Sequence, residues 1–228
     1  MALKFTLKAD FHMHTKDDPE DFYVKHSAEE LIDHAVKQGF EVLSITTHNK
    51  ITYSPYLRDY AFHRGILLLP GVEVTIEGKH ILLINYLGPL NFKRISDLKN
   101  VRGKETLIIA AHPFFPGTTT LKNKLIQNIE LFDAIEYCHF YHRWVNFNKR
   151  AIEVSRNYQK PLLGTSDTHF LSQMNHTYSL LEVTQKTNTA VVEAIKKGDV
   201  NIVTQPLSTI LMTKLLFSFG ASLLSVFK

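Results

Sequence analysis

Short apolar segments alternate with amphipathic segments along most of this chain, and that alternation restricts the folds it can adopt. The segment LKFTLKADFHMH alternates apolar and polar residues, which is typical of a strand, and SAEELIDHAVKQG follows with helical spacing. Ser27 and Glu30 form a predicted capping box at the start of this helix, and Gly39 marks its end. Repetition of this order with short connections predicts a parallel sheet that is closed, or nearly closed, into a barrel.

The later segments continue the same order. Predicted strands lie in FEVLSITTH, ILLLPGVEVT, ETLIIAAHP, FDAIEYC, KPLLGTSDTH and VNIVT, and EGKHILLINYLG forms a hairpin return. Predicted helices cover Pro55–Arg64, Leu121–Leu131 and Trp144–Tyr158, and a last helix follows Asn188. The sequence therefore predicts an α/β fold, a distorted (β/α) barrel of about seven strands.

Length and composition favour one domain. A chain of 228 residues with 44% hydrophobic content can bury one large core. We expect a barrel domain over residues 1–205 and an apolar C-terminal helix over residues 206–228. The segment LSTILMTKLLFSFGASLLSVFK carries Lys214 and Lys228 as its only charges. We expect it to pack on the barrel or at an interface of a homo-oligomer; a position on a membrane surface is the alternative, and a membrane span is not expected.

Several functional classes are disfavoured by the sequence. Cys138 is the only cysteine, which excludes intramolecular disulfides and cysteine-rich zinc modules. The N-terminal residues lack a signal-peptide pattern, so a cytoplasmic protein is expected. The net charge is +4, but the basic residues are scattered, and no stable complex with nucleic acid is expected. The sequence contains no P-loop, dinucleotide-binding glycine pattern or Ser-His-Asp arrangement.

Histidines and acidic residues are concentrated where the predicted strands end. The chain has 12 histidines, and many lie at or just past the C-terminal end of an apolar strand or on the adjoining hairpin. The residues in such positions are His12, His14, His48, Glu73, His80, His112, Asp167 and His169. In a parallel barrel these ends open on one face, where active sites of this architecture lie. Imidazole and carboxylate together suit zinc, manganese or iron, so the pattern predicts a metal site rather than a polar rim.

The ordered set of motifs resembles the polymerase and histidinol phosphatase (PHP) family of metal-dependent phosphoesterases. The matching segments are DFHMHT, SITTHN, GVEVT with GKHILL, AAHPF and GTSDTH, and they span Ala9 to Phe170. The family's fold is a distorted (β/α)₇ barrel, which agrees with the strand and helix order above. The resemblance implies two or three divalent ions, of zinc, manganese or iron.

The resemblance also implies a ligand set. One ion would take His12, His14, Glu73 and Asp167; a second would share Glu73 and add His80 and His112; a third would take Asp21, His48 and His169. Two features depart from the family pattern. The second motif usually reads Thr-Asp-His, with the Asp orienting the histidine, and this chain has Thr47 in its place. Asp17, Asp18 and Asp21 compete for the acidic position. Asp21 is preferred because its spacing of seven residues after His14 resembles that of the polymerase-associated members of the family, and Asp18 is second.

The predicted activity is hydrolysis of phosphate esters of a small molecule or nucleotide. Metal ions a few ångströms apart can activate a water molecule and bind phosphate oxygens. Glu73, Asp167 and His169 are the expected catalytic residues, and His169 could act as ligand or general acid. His142, Arg143, Lys50 and Lys79 are candidates for substrate binding, and the role of His139 is left open. The alternatives are an amidohydrolase-like enzyme that cleaves C–N bonds and a non-catalytic metal-binding regulatory domain.

Overall fold

The strands of the protein form one nine-stranded sheet within residues 3–215, the part of the chain that the computed structural model describes. The strands are β1 Phe5–Asp10, β2 Val42–Ile45, β3 Leu67–Ile76, β4 Lys79–Ile84, β5 Leu107–Ala110, β6 Ala134–Cys138, β7 Leu162–Thr165, β8 Thr177–Val183 and β9 Val200–Thr204. The α-helices are α1 Ala28–Lys37, α2 Pro55–Phe62, α3 Asn123–Gln127, α4 Asn148–Tyr158 and α5 Asn188–Lys197. Residues 209–215 are also helical.

The sheet has the order β7-β6-β5-β4-β3-β2-β1-β8-β9. Strands β1, β2 and β3 run parallel, as do β5, β6 and β7, whereas β4, β8 and β9 introduce antiparallel pairs. Strand β7 comes back against β8: the Gly164 N–H donates to Ser179 Oγ at 2.9 Å, and that hydroxyl donates to the Gly164 carbonyl at 3.0 Å. A Cβ at Gly164 would lie 2.7 Å from the Tyr178 carbonyl oxygen, so this approach requires glycine. The predicted distorted α/β barrel is confirmed.

Alternate residues of the strands fill the barrel interior. Leu7, Ala9 and Phe11 pack there against Leu82 of β4 and Ile109 of β5. Two further apolar clusters lie between the sheet and its surrounding helices, one under α1 and α2 and one under α4. Side chains of both faces are therefore buried, and this fixes the strand register and the positions of the strand ends.

Two elements differ from the sequence prediction. Strand β8 was not predicted; it pairs antiparallel with β1 and lies between β1 and β9, so the sheet exceeds the expected seven strands. Helix α4 begins at Asn148 rather than at Trp144. The amide of Asn148 bonds both the N–H and the carbonyl of Cys138, at 3.0 and 2.8 Å, and this ties the start of the helix to the end of β6.

Two other helices are shorter than predicted. The segment predicted as one helix over Leu121–Leu131 is divided into α3 and a 3₁₀ turn at Ile129–Leu131, and α2 ends at Phe62 rather than at Arg64. The 3₁₀ turn completes only one turn, because the Phe132 backbone is already extended before β6.

The C-terminal segment is described in part. Leu207 and Leu215 are buried, and the Leu207 N–H donates to the Tyr141 carbonyl oxygen at 2.9 Å. The rest of the predicted C-terminal helix, residues 216–228, lies outside the described residues, so the division at residue 205 stays a prediction. Among residues 3–215, no helix combines the length and the hydropathy that crossing a membrane requires.

Candidate metal centre

The strands bring the predicted ligands to one face of the barrel. His12 and His14 follow β1, His48 follows β2, His112 follows β5, and Asp167 and His169 follow β7. Glu73 is not the last residue of its strand, because β3 continues to Ile76 and turns into the hairpin with β4, which carries His80. A parallel bridge between His48 and Glu73 aligns the end of β2 with the middle of β3.

Glu73 lies at the centre of this face, and its two carboxylate oxygens meet different histidines. Its Oε1 lies 2.9 Å from His80 Nδ1 and 3.2 Å from His112 Nε2. Its Oε2 lies 3.0 Å from His12 Nε2, 3.2 Å from His48 Nε2 and 3.4 Å from His14 Nε2. Only 1% of the Glu73 surface is exposed. One buried carboxylate thus faces two separate groups of imidazole nitrogens.

Asp167 closes the group around His12 and His14. Its Oδ1 lies 3.4 Å from His12 Nε2, 3.3 Å from His14 Nε2 and 3.5 Å from His169 Nδ1. Asp167 and His112 both have left-handed backbone conformations, with φ of 47° and 26°. Such conformations are unfavourable for residues other than glycine, and they turn both side chains toward the centre.

Asp18 and Asp21 both reach the centre from the acidic loop, but they make different contacts. Asp18 Oδ2 accepts the His48 N–H at 2.8 Å and faces Nδ1 of His14 and of His48 at 2.8 and 3.1 Å, while its Oδ1 accepts the N–H groups of Glu20 and Asp21. Asp21 Oδ2 faces His169 Nε2 at 2.9 Å and His48 Nδ1 at 3.3 Å. Both carboxylates therefore belong to the site.

Asp18 supplies a carboxylate contact to His48, which Thr47 of the second motif does not make. The Thr47 hydroxyl bonds Thr52 Oγ1 and the Lys50 carbonyl oxygen, both at 2.7 Å, and is thereby engaged within its own loop. Asp18 contacts both the backbone and the ring of His48, the histidine that the Asp of the family motif would orient.

The carboxylates and imidazoles of the centre shift one another's pKa values. Burial opposes ionisation of Glu73, but the surrounding imidazoles outweigh it and lower the pKa of Glu73 well below its ordinary value. Burial likewise opposes protonation of His48, and Glu73, Asp18 and Asp21 nevertheless raise its pKa to about 11. Burial also opposes ionisation of Asp167, whose pKa is held low by His12 and His169. The carboxylates thus stay ionised and available as ligands.

The donor set fits divalent transition metals. Groups of imidazole and carboxylate atoms lie within 4.8 Å of one another, among them His12, His14 and Glu73, and also His14, Asp167 and His169. His14 Nε2 is buried and makes no hydrogen bond within residues 3–215, an arrangement that is costly unless another partner takes its lone pair. Mixed nitrogen and oxygen donors of this kind suit zinc, manganese and iron.

The sequence analysis missed Glu136, which also contacts this centre. It is fully buried in β6, and its carboxylate accepts from His12 Nδ1 at 2.7 Å, from the Thr165 hydroxyl and from the His112 N–H. The available signal was a charged residue in the middle of the otherwise apolar segment AIEYC, because a charge is rarely buried without a partner.

A cavity of about 240 Å³ adjoins the centre. Its lining includes His112 and Asp167 from the centre, Phe115 and Phe140 as aromatic walls, and His139. Burial lowers the pKa of His139 to about 3, so its ring is neutral; the Gln173 amide donates to His139 Nε2 at 3.0 Å. His139, whose role the sequence left open, thus borders the space beside the centre.

The predicted substrate-binding residues lie elsewhere. His142 borders a separate apolar groove with Trp144, and its Nε2 lies 3.2 Å from Thr209 Oγ1. Lys50 is exposed and donates to the Asp17 carbonyl oxygen at 3.0 Å, Lys79 donates to the Thr118 carbonyl oxygen, and Arg143 is exposed. None of the four is among the described residues that line the 240 Å³ cavity, so their predicted role stays a prediction.

Known proteins resemble this chain in sequence and fold. The family model described as PHP-associated matches residues 145–200. The uncharacterized protein MJ1587 of Methanocaldococcus jannaschii is 30% identical over 146 residues, which cover 60% of this chain and 84% of that protein.

Two solved structures share the fold. A two-domain protein of Bacteroides vulgatus containing a predicted PHP-like metal-dependent phosphoesterase has a TM-score of 0.68 at 20% identity, over 89% of this chain and 66% of that one. The lesion-specific endonuclease PfuEndoQ of Pyrococcus furiosus has a TM-score of 0.61 at 17% identity, over 87% of this chain and 58% of that one. This chain thus spans about two thirds or less of either structure. The chain belongs to the PHP domain family, as the five ordered motifs, the barrel and these matches together show.

Proposed function

We propose that this protein is a metal-dependent hydrolase of phosphate esters. The observation that carries the proposal is the placement of Glu73, whose two oxygens face separate groups of histidine nitrogens. A carboxylate in this position can be shared by two ions, and paired metal ions are a common arrangement in enzymes that hydrolyse phosphate esters.

The proposed ligand sets are those that the family resemblance implies, and the contacts around Glu73 and Asp167 support them. The first ion would be held by His12, His14, Glu73 and Asp167, the second by Glu73, His80 and His112, and the third by Asp21, His48 and His169. Divalent ions held there would supply an activated water molecule and positive charge for the phosphate oxygens. Asp21 is the proposed ligand rather than Asp18, because Asp18 already accepts hydrogen bonds from three backbone N–H groups.

Asp167 and His169, the other proposed catalytic residues, lie at the border of the centre. Asp167 has 20% of its side chain exposed and lines both the centre and the 240 Å³ cavity, so an ion that it holds would be open to a phosphate entering from the cavity. His169 donates from Nε2 to Asp21 Oδ2 at 2.9 Å and would hold a proton for the leaving oxygen when the third ion is absent.

The lining of the cavity suits a small organic group as the leaving group of the substrate. Aromatic walls from Phe115 and Phe140 suit an apolar or flat group, and Thr119 and Thr120 add hydroxyls. Among the described lining residues there is no lysine or arginine, so a second strongly anionic group is disfavoured there. The fold is shared with PfuEndoQ, named as an endonuclease, so phosphodiesters are included with phosphomonoesters as candidate substrates.

The activity can be separated from the two alternatives in one assay series. Purified protein is loaded with Mn²⁺ and given p-nitrophenyl phosphate, bis(p-nitrophenyl) phosphate and a p-nitroanilide. We expect release of p-nitrophenol from at least one phosphate ester and no release of p-nitroaniline from the anilide. Release from the anilide alone would favour an amidohydrolase-like enzyme, and metal binding without any release would favour a regulatory domain.

A matched control excludes contaminating phosphatases in this series. Glu73→Gln keeps the size of the side chain and removes its charge, so activity that belongs to this protein should fall sharply in that variant. Equal rates in the wild type and the variant would assign the activity to a contaminant.

A further inference from the structure

Glu136 occupies an unusual position for a carboxylate. It lies in the middle of β6, fully buried, on the face of the strand that it shares with Ala134 in the barrel interior. Burying an ionised carboxylate costs several kcal/mol unless hydrogen bonds compensate for the lost water. A charge at this depth therefore indicates a specific task.

Its hydrogen bonds join three strand ends. Oε1 accepts from His12 Nδ1 at 2.7 Å, beyond β1, and from the Thr165 hydroxyl at the end of β7. Oε2 accepts from the backbone N–H of His112, beyond β5. Glu136 thus contacts one proposed metal ligand through its ring and another through its backbone.

The contact with His12 determines where that ring carries its proton. An ionised carboxylate can only accept, so the hydrogen bond places a proton on Nδ1. The opposite nitrogen, Nε2, is then directed at Glu73 Oε2 and Asp167 Oδ1, 3.0 and 3.4 Å away. Histidines that bind metals commonly donate their second N–H to a carboxylate in this way, which fixes the tautomer and the ring orientation.

The contact with His112 supports a strained backbone. The φ of His112 is 26°, in the left-handed region, and its Nε2 faces Glu73 Oε1 at 3.2 Å. An acceptor for its N–H stabilises this conformation, which a residue with a Cβ seldom adopts.

We propose that Glu136 is a positioning residue that fixes the His12 tautomer and the His112 backbone, so that both rings present Nε2 to the two ions that share Glu73. The inference rests on the proposed metal binding and not on the proposed reaction, so its test uses no substrate.

Asp10 provides the matched control. It is equally buried and lies two residues before His12, and its Oδ1 accepts from the backbone N–H groups of His12 and Ser166, at 3.3 and 3.1 Å, rather than from a histidine ring. In Asp10→Asn the amide oxygen can still accept both. In Glu136→Gln the amide cannot satisfy all three donors with its single oxygen.

The test compares full-length wild type, Glu136→Gln and Asp10→Asn by two measurements. ¹⁵N NMR of the imidazoles, with His12→Gln to assign the signal, reports which nitrogen of His12 carries the proton in the Zn²⁺-loaded protein. Competition with a chromophoric chelator gives the Zn²⁺ affinity. We expect Nδ1 to be protonated in the wild type, and Glu136→Gln to lose this signature and bind Zn²⁺ about 10–100-fold more weakly. Asp10→Asn should keep the signature and most of the affinity.

Two results would overturn the proposal. One is a wild-type His12 whose Nδ1 carries no proton, which decides the question even if Glu136→Gln does not fold. The other is a folded Glu136→Gln with wild-type Zn²⁺ affinity and an unchanged His12 signal. If the wild type and both variants give the expected NMR signal and Zn²⁺ affinity but the wild type hydrolyses no phosphate ester, only the proposed function fails.

Discussion

The proposed metal centre has two halves that are built in different ways. The strand half consists of Glu73 with His12, His80 and His112, which lie in strands or directly after them, where backbone pairing fixes their positions. The loop half consists of Asp18 and Asp21 with His48 and His169, and its carboxylates come from a loop that is held by its own side-chain hydrogen bonds.

This difference indicates that the two halves should respond differently to substitution. In the strand half, one carboxylate lies between the histidines of two proposed ions, and it has no neighbouring acid in the same strand to replace it. In the loop half, Asp18 and Asp21 both face His48 Nδ1, at 3.1 and 3.3 Å, so one acid remains when the other is removed.

The largest effect is expected from Glu73→Gln. The substitution removes a negative charge that two ions would share and leaves an amide that bridges poorly. We expect loss of more than one metal equivalent and a fall in hydrolysis beyond the roughly 10–100-fold range typical of residues that only support ligands. Metal content and rate are measured on the same preparation.

The contradicting result for Glu73 is wild-type stoichiometry with near-normal turnover, which would mean that Glu73 bridges no ions. Circular dichroism of the variant separates this result from misfolding.

A smaller effect is expected from His48→Ala and Asp21→Asn in the loop half. Each removes a ligand of the proposed third ion and leaves the proposed ligands of the other two ions in place, so two metals and part of the turnover should remain. We expect a fall of about 10–100-fold in rate, on the scale of partial disruption of a metal site. If either variant lost metal and activity as completely as Glu73→Gln, the two halves would form one inseparable unit.

Asp18 and Asp21 can be compared directly. Asp18→Asn keeps an oxygen for the N–H groups of Glu20 and Asp21 but weakens the contacts with His14 and His48, whereas Asp21→Asn removes a proposed ligand. We expect Asp18→Asn to keep three metals with weaker affinity, and Asp21→Asn to keep two. The reverse result, measured by elemental analysis, would make Asp18 the ligand.

The smallest effect on the centre is expected from deletion of Leu207–Lys228. Within this segment Leu207 and Leu215 are buried, and burying a leucine side chain contributes about 1.5–3 kcal/mol. We expect a lower melting temperature or lower solubility with little change in metal content. Unchanged stability together with loss of liposome binding would support the membrane-surface alternative for this segment.

The sequence predicted the strand half better than the loop half for a physical reason. Strand ends in a parallel barrel share one face, so the positions of His12 and His112 at the ends of apolar segments were sufficient to group them. The acidic loop offers no comparable periodicity, and the sequence alone left three aspartates in competition. The structure shows that Asp18 and Asp21 both contact the histidines.

The parts that were not predicted depend on contacts between distant segments. Strand β8 forms through pairing with β1, which lies far away in the sequence. Glu136 is identified by its partners His12, Thr165 and His112, which belong to three other strand ends. Hydropathy of a single segment does not reveal such partners.

The most direct test of the central proposal is the metal dependence of hydrolysis by the purified full-length protein. Elemental analysis should find more than one equivalent of transition metal, and a chelator should abolish phosphate-ester hydrolysis, which added Mn²⁺ then restores. A protein without bound metal, whose hydrolysis is indifferent to both chelator and Mn²⁺, would contradict the proposal.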